Sequence, residues 1–589
     1  MVQQSRAWSD GARDTISRNG AAHVKKTMRI PAAILSGVAS AVLSAMSLAW
    51  LGGGLHGLHG AVTWFSLLLG IVIVVIVLQV TSRLPAPSKP RLWDWVMVGI
   101  FIIASARAFF WLIYAGGDAL KVLSPNNLGD LALHLDFIHW LAETKHWWPQ
   151  SPILTGDPLR YPPGSDLFNA LLLLVGVPPV IGLLWCGVIG AALTGYALWR
   201  WGGAVALAAV LFNGGLAGFV ILKNGWGADP DAACEWKNLF LTLFVPQRGF
   251  LFALPAGLLL LSAWKEESFG DQRKVVLPLP VQVLLLAVTP LFSVHTSLFL
   301  GVAMVGLALL VPESRARLGR LALAAWPLMA LLGWIVTSGA GGHSAIHALG
   351  LAPGWMGDGT IGFWLWNFGV ALPLSLLLCL VLTRKGSSRE ARAFVWPSAI
   401  VFVLCMLIRF APWPWDNMKL MLWSWVVIAP YLWKGFLEKR TLVPRFTAAV
   451  LLFGSGALTL VSGLDGRHGY ELIKRGSLNE TTSMFRGISP EAVIACAPEY
   501  NHPVIILGHP VVCGYEGHLW SHGLDYKGRL DALNNLMKGE SGWQAQARKL
   551  GASHIYWSDL EAKRWPDSKL PWAKETTPAL HEIPKQANP

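Results

Sequence analysis

Between residues 117 and 165 the chain sets acids and histidines at helical spacing. Leu131, Leu135, Ile138 and Ala142 form one stripe, at intervals of four, three and four. Asp136, His139, Glu143 and His146 form another, at three, four and three, and His134 follows Asp130 by one turn. Carboxylates and imidazoles take and give protons near neutral pH. Asp130, at the start of the expected helix, has two compatible readings. It is a helix N-cap, a place Asp fills well, or a general base facing a membrane cavity, kept ionised by the helix N-terminus. The second stripe reads as a metal site or as a solvated polar face. The polar face is the commoner meaning of such a pattern, so no metal ligand is assigned, and dependence on a divalent metal stays open.

The elements that must position these groups are membrane spans. The chain has 589 residues, 54% hydrophobic and 14% charged, with mean hydropathy +0.48. Soluble domains carry roughly 25% charged residues. Apolar windows of about 20 residues recur, long enough to cross a hydrocarbon core of roughly 30 Å, and only self-satisfied backbones cross it. The expected class is a polytopic α-helical membrane protein. Many of the 31 Trp sit at span ends, among them Trp50, Trp93, Trp95, Trp201 and Trp423, as interfacial anchors do. The net charge of +13 falls in short loops and not on a basic soluble face, so no nucleic-acid partner is expected.

Thirteen spans are expected: 31–51, 60–80, 95–115, 178–199, 204–222, 248–264, 277–294, 296–312, 321–338, 361–383, 394–410, 418–434 and 446–463. Under this count every Lys/Arg-rich loop falls on one side. That side is cytoplasmic by the positive-inside rule. Residues 1–30 form a cytoplasmic segment, residues 31–463 the transmembrane domain, and the 117–165 loop is extracytoplasmic. A second outer loop carries His343, His347 and Asp358. The apolar run 167–176 is too short to span and should re-enter or lie along the interface.

Residues 464–589 are polar, with strand-like runs at 493–496, 503–507 and 554–557 and helical stretches near 527–538 and 541–550. This predicts a small extracytoplasmic α/β domain. Its Cys496 and Cys513 would face an oxidising compartment, where a disulfide is possible. Cys186, Cys379 and Cys405 lie in apolar spans, as core filler does.

An acid just after a core span, a surface helix, Tyr161-Pro162-Pro163 and a short apolar helix together resemble the first extracytoplasmic loop of GT-C fold glycosyltransferases. Two features set this chain apart: the acidic site is Gly-Asp-Leu, and two spans precede the loop-bearing one. The resemblance implies a bacterial inner-membrane enzyme with a GT-C-like fold and a periplasmic C-terminal domain. It would move a hexose or pentose from a polyprenyl-phosphate-linked donor to a lipid, glycan or protein acceptor. Membrane lipid and lipid-linked sugar are the implied partners. Asp130 matches the acid that deprotonates the acceptor or coordinates a metal, with His134, Asp136 and Asp118 as further catalytic candidates. Arg248, Arg409, Lys419 and His295, at outer span ends, are candidates to hold the departing phosphate. An ion pair of Arg409 with Asp416 is the ordinary alternative, and Arg107, mid-span, needs some partner. Tyr161, Asp416, Trp520 and His522 are candidate sugar or acceptor contacts. The competing class is a transporter or flippase of a lipid-linked glycan, which would keep charged groups along a midplane path.

Overall fold

The structure is a computed structural model that describes residues 29–52, 57–81, 90–226, 234–270, 275–338, 350–351, 361–466, 469–575 and 577–584. The second outer loop, with His343, His347 and Asp358, and the N-terminal segment 1–28 lie outside the described residues.

Among the described residues eight helices are long and apolar enough to cross a bilayer: Arg29–Leu51, Ala61–Val80, Leu92–Phe110, Pro179–Leu211, Pro312–Ser338, Arg389–Leu407, Met418–Leu437 and Leu442–Gly463. Helices Ile361–Phe368 and Ala371–Leu382, bent by 94°, make a ninth if taken as one span. The chain is a polytopic helical membrane protein. Outward-facing Trp64, Phe65, Leu68 and Ile71 on the second helix are exposed, as a lipid-facing surface requires. The first two helices cross with their backbones touching. A Cβ on Gly37 would come within 2.8 Å of the Gly70 carbonyl oxygen, so only glycine allows that approach.

Several elements depart from the sequence expectation. Pro179–Leu211 is one helix by assignment, but it breaks at Gly202 and Gly203, and Gly203 has φ 60°. Before the break, Gly187 packs on Phe109 and Gly195 on Phe101. At the break Trp201 packs on Tyr431, and after it Ala209, eight residues on from Trp201, accepts a hydrogen bond from Trp425, six residues back along that neighbouring helix. The chain therefore doubles back at the break, where Asp94 accepts from the Ala204 N–H at 2.8 Å. The returning limb ends at Leu211, and a 3-10 turn Ala217–Phe219 and a short helix Val220–Asn224 follow. The expected continuous span 204–222 is thus interrupted. The run 503–507 is not a strand. Proline at its start, with His502 accepting from the Val504 N–H, makes it the helix Pro503–Ile506. Cys496 and Cys513 are both free thiols.

The bundle has two distinct ends. At one end lie the ion pairs Arg91–Glu438, Arg200–Glu266, Lys265–Glu390, Arg317–Glu267 and Arg389–Glu313. At the other, the loop after Leu92–Phe110 and the C-terminal stretch fold together. Strands Tyr114–Gly116 and Ala119–Val122 form an antiparallel sheet with Tyr470–Lys474, Leu120 opposite Ile473. The Val511 and Gly514 N–H groups donate to Pro152 and Ile153 carbonyls, each at 2.8 Å. A second sheet sets Ile494–Ala495 parallel to His554–Trp557, which pairs antiparallel with Ala579–Glu582. Loop and tail share hydrogen-bonded structure, so they share one side of the membrane, and the chain between them crosses an even number of times.

Candidate functional site

The helix over the expected acid stripe runs Leu128–Glu143, two residues earlier than its sequence start. Asp130 is therefore not the N-cap. It sits in the first turn, where its carboxylate still meets the positive end of the helix. The second correction concerns the polar stripe. The helix is buried on most of its circumference, and Asp136 is 1% exposed, because Pro503–Ile506 and its flanks pack against it. A Cβ on Gly508 would collide with His139, a measure of how closely the tail sits. Burial, with no hydrogen-bond partner for either oxygen among the described residues, raises the Asp136 carboxyl well above the usual range. Asp136 faces the tail and is not part of the cluster below.

Asp130 and His134, one turn apart, face the short helix Gly164–Leu174 and the turn before Phe250–Phe269. His134 Nδ1 contacts both Asp166 oxygens, at 2.8 and 3.0 Å, with both side chains buried. Asp130 Oδ2 accepts from the Gln247 amide at 3.0 Å. The Ser165 hydroxyl donates to the Arg248 carbonyl at 3.0 Å, tying the short helix to that turn. The Arg248 side chain is 1% exposed, and none of its three guanidinium nitrogens has a hydrogen-bond partner among the described residues. It lies 5.4 Å over the Phe109 ring, within electrostatic reach of Asp166, Asp130 and Tyr161.

Tyr161 joins the parts. Its ring lies 5.1 Å from Phe137, 6.1 Å from His134 and 5.1 Å from His522. Burial, then Asp166 and Asp130, push its hydroxyl well above the usual range, so it is a neutral donor. The tail contributes the helix Glu516–Ser521 as a cover. A Cβ on Gly129 would meet His518 Nε2 at 3.2 Å, so that helix sits close beside the residue preceding Asp130. Burial lowers His518, and burial together with His518 and Lys419 brings His522 down to about 3, so both imidazoles are neutral. Trp520 on the same helix is 47% exposed, and no hydrogen bond, ion pair or ring contact among the described residues links it to the cluster.

Asp416 is paired with Lys419 at 2.6 Å and His295 at 3.6 Å, not with Arg409. Burial opposes its charge, but Lys419 and His295 outweigh it and hold the carboxyl below its ordinary value. Its field reaches His522, which connects this pair to the cluster. Arg409 lies on the strand Ile408–Arg409 beside Gly350–Leu351, and no hydrogen bond or ion pair among the described residues links it to the cluster. Arg107 is in the last turn of its helix and not mid-span. It donates to the Leu464 carbonyl and lies 4.4 Å over Trp111. Asp118 is at a hairpin turn, its carbonyl accepting from Arg475 N–H.

The structure thus gathers Asp130, His134, Tyr161, Arg248, His295, Asp416, Lys419 and His522, and leaves Asp118, Asp136, Arg409 and Trp520 outside. It adds Asp166, Gln247 and His518. Asp166 carried one sequence signal, an acid just after Pro162-Pro163-Gly164 and at the head of an apolar run. Among the described residues no group of three His, Cys, Asp or Glu side chains has a metal-holding arrangement. What the cluster can do follows from Arg248. A guanidinium carries five donors, and leaving them unbonded in a dry site is costly. A bound oxyanion would offset that cost. No protein-family model matches this chain, and no curated protein matches its sequence.

Proposed function

We propose that this protein is a glycosyltransferase of GT-C type. It takes a sugar from a polyprenyl-phosphate-linked donor at the extracytoplasmic face of a bacterial inner membrane. The observation that carries the reading is the Arg248 guanidinium, buried, without a hydrogen bond among the described residues, beside two carboxylates and a tyrosine. A sugar phosphate is already a good leaving group, so transfer chiefly needs a base for the acceptor hydroxyl and a cation for the departing phosphate. Arg248 supplies the cation, and the acids and His134 around it supply the base. The neutral donors Tyr161, His518 and His522 suit sugar hydroxyls.

The orientation rests on charge. Arg91, Arg200, Lys265, Arg317 and Arg389 lie at the end opposite the cluster, and the positive-inside rule puts that end in the cytoplasm. The loop and tail, at the other end of the bundle, then lie in the periplasm. Grouping of the ion pairs at the two ends favours surface chemistry over a transport path.

The test is titration of the full chain in detergent with undecaprenyl phosphate. Arg248→Gln should weaken binding about 10- to 100-fold, as expected for lost hydrogen bonds to a charged group, and Arg248→Lys should weaken it less. Unchanged affinity in a folded Arg248→Gln protein would end the proposal.

A further inference from the structure

The cluster holds two candidate proton acceptors, and the geometry separates them. Asp130 has one oxygen taken by Gln247, the neighbour of Arg248, and its charge acts on that guanidinium. His134 is arranged differently. Both Asp166 oxygens face Nδ1, which fixes the proton there, while Nε2 has no hydrogen bond among the described residues. A carboxylate behind an imidazole sets the tautomer, aims the ring and stabilises the imidazolium that forms when the far nitrogen takes a proton. Asp166 itself is held in place by its helix, which Ser165 anchors to the Arg248 carbonyl. The groups facing His134 are Asp130 on its own helix, Asp166, Tyr161, and His518 and His522 from the tail.

We infer that His134, positioned by Asp166, removes the proton from the acceptor hydroxyl, and that Asp130 instead holds the Gln247–Arg248 turn in its phosphate-binding form. This rests on the glycosyl-transfer reading and assigns roles within it. In the step, the acceptor proton passes to His134 Nε2 as the acceptor oxygen bonds to the anomeric carbon. The bond from that carbon to the phosphate oxygen breaks, and its electron pair leaves on the phosphate beside Arg248. The imidazolium then releases its proton to water. Asp166 touches no reacting atom and is a positioning residue.

The experiment uses the full chain in proteoliposomes with radiolabelled undecaprenyl-phosphate-linked hexoses and pentoses, following sugar release to water or transfer to added acceptors. Undecaprenyl phosphate titration runs in parallel. Asp166→Asn keeps the shape and removes the charge, and should lower kcat about 100-fold or more, within the usual range for lost acid–base catalysis, with phosphate affinity unchanged. Asp166→Glu should recover part of the rate. Asp130→Asn should instead weaken undecaprenyl phosphate binding more than it lowers kcat. Where Asp166→Asn does not accumulate, His134→Gln reads the same split. An Asp166→Asn protein with wild-type kcat, or one that loses rate and affinity together, would overturn the assignment. A wild-type chain that binds undecaprenyl phosphate but releases sugar from none of the donors would overturn the glycosyl-transfer reading itself, and this assignment with it.

Discussion

Arg317 and Arg248 are withdrawn from water at opposite ends of one bundle, and their surroundings differ. Arg317 meets Glu267 at 2.6 Å and donates to Ser268 at 3.1 Å, and Glu267 is further held by the Val276 N–H and Gln282. The Arg317 guanidinium thus has its own carboxylate and hydroxyl partners. Arg248 is more deeply buried than Arg317, and no side chain or carbonyl among the described residues receives its donors. The acids whose charge acts on it each have another partner, Asp166 with His134 and Asp130 with Gln247. A buried ion pair is weak evidence of anything beyond structure. A buried cation whose acidic neighbours are committed to other partners points further, because a bound oxyanion would offset the cost of its unbonded donors.

The comparison can be broken at either end. The largest effect is expected at Arg248, where Gln should weaken undecaprenyl phosphate binding about 10- to 100-fold and depress transfer while the protein still assembles in the membrane. Arg317→Gln should do the reverse. It strands the buried Glu267 carboxylate, which costs about 3–5 kcal/mol when a buried pair is broken. Thermal unfolding in detergent should therefore show a large loss, with undecaprenyl phosphate affinity unchanged in the protein that remains folded. Equal loss of binding in both variants would remove the distinction between the ends.

Asp136 sharpens it. Its folded-state carboxyl is raised by burial, so the neutral form fits the native packing and the charged form does not. Stability from this group is present at low pH and is lost as pH rises from the ordinary carboxylate range toward the raised folded value. Asp136→Asn should therefore be more thermostable than wild type at pH 7–8, and the gap should close toward pH 4. A gap that stays constant with pH would show that Asp136 is not the titrating group. The smallest effect belongs to Arg389→Gln. Its pair with Glu313 at 2.7 Å is exposed, and such pairs contribute at most about 1 kcal/mol.

How much of this was legible in the chain depends on distance along it. Asp130 and His134 are four apart on one helix, so periodicity alone placed them on one face. The short apolar helix after Pro162-Pro163-Gly164 was also readable, because proline and glycine punctuate locally. The partner of His134 was not, since Asp166 lies 32 residues away. The burial of Asp136 was misread as solvation, because the tail that covers it begins more than 300 residues later. The strand expected at 503–507 failed for a local reason: an apolar run of that length fits strand or helix, and Pro503 with the His502 cap decides for helix.

The sequence by itself determined that this chain lives in a membrane, which loops carry its positive charge, and that acids and histidines gather just after the third span. Those properties follow from composition and short-range spacing, which water and lipid read directly. Only the tertiary structure decided which of those groups meet. Gln247, the neighbour of Arg248, donates to Asp130, the tail helix brings His518 and His522 to the cluster, and Lys419 answers Asp416 in place of Arg409. Such pairings depend on packing between segments hundreds of residues apart, and no local preference of the chain encodes them.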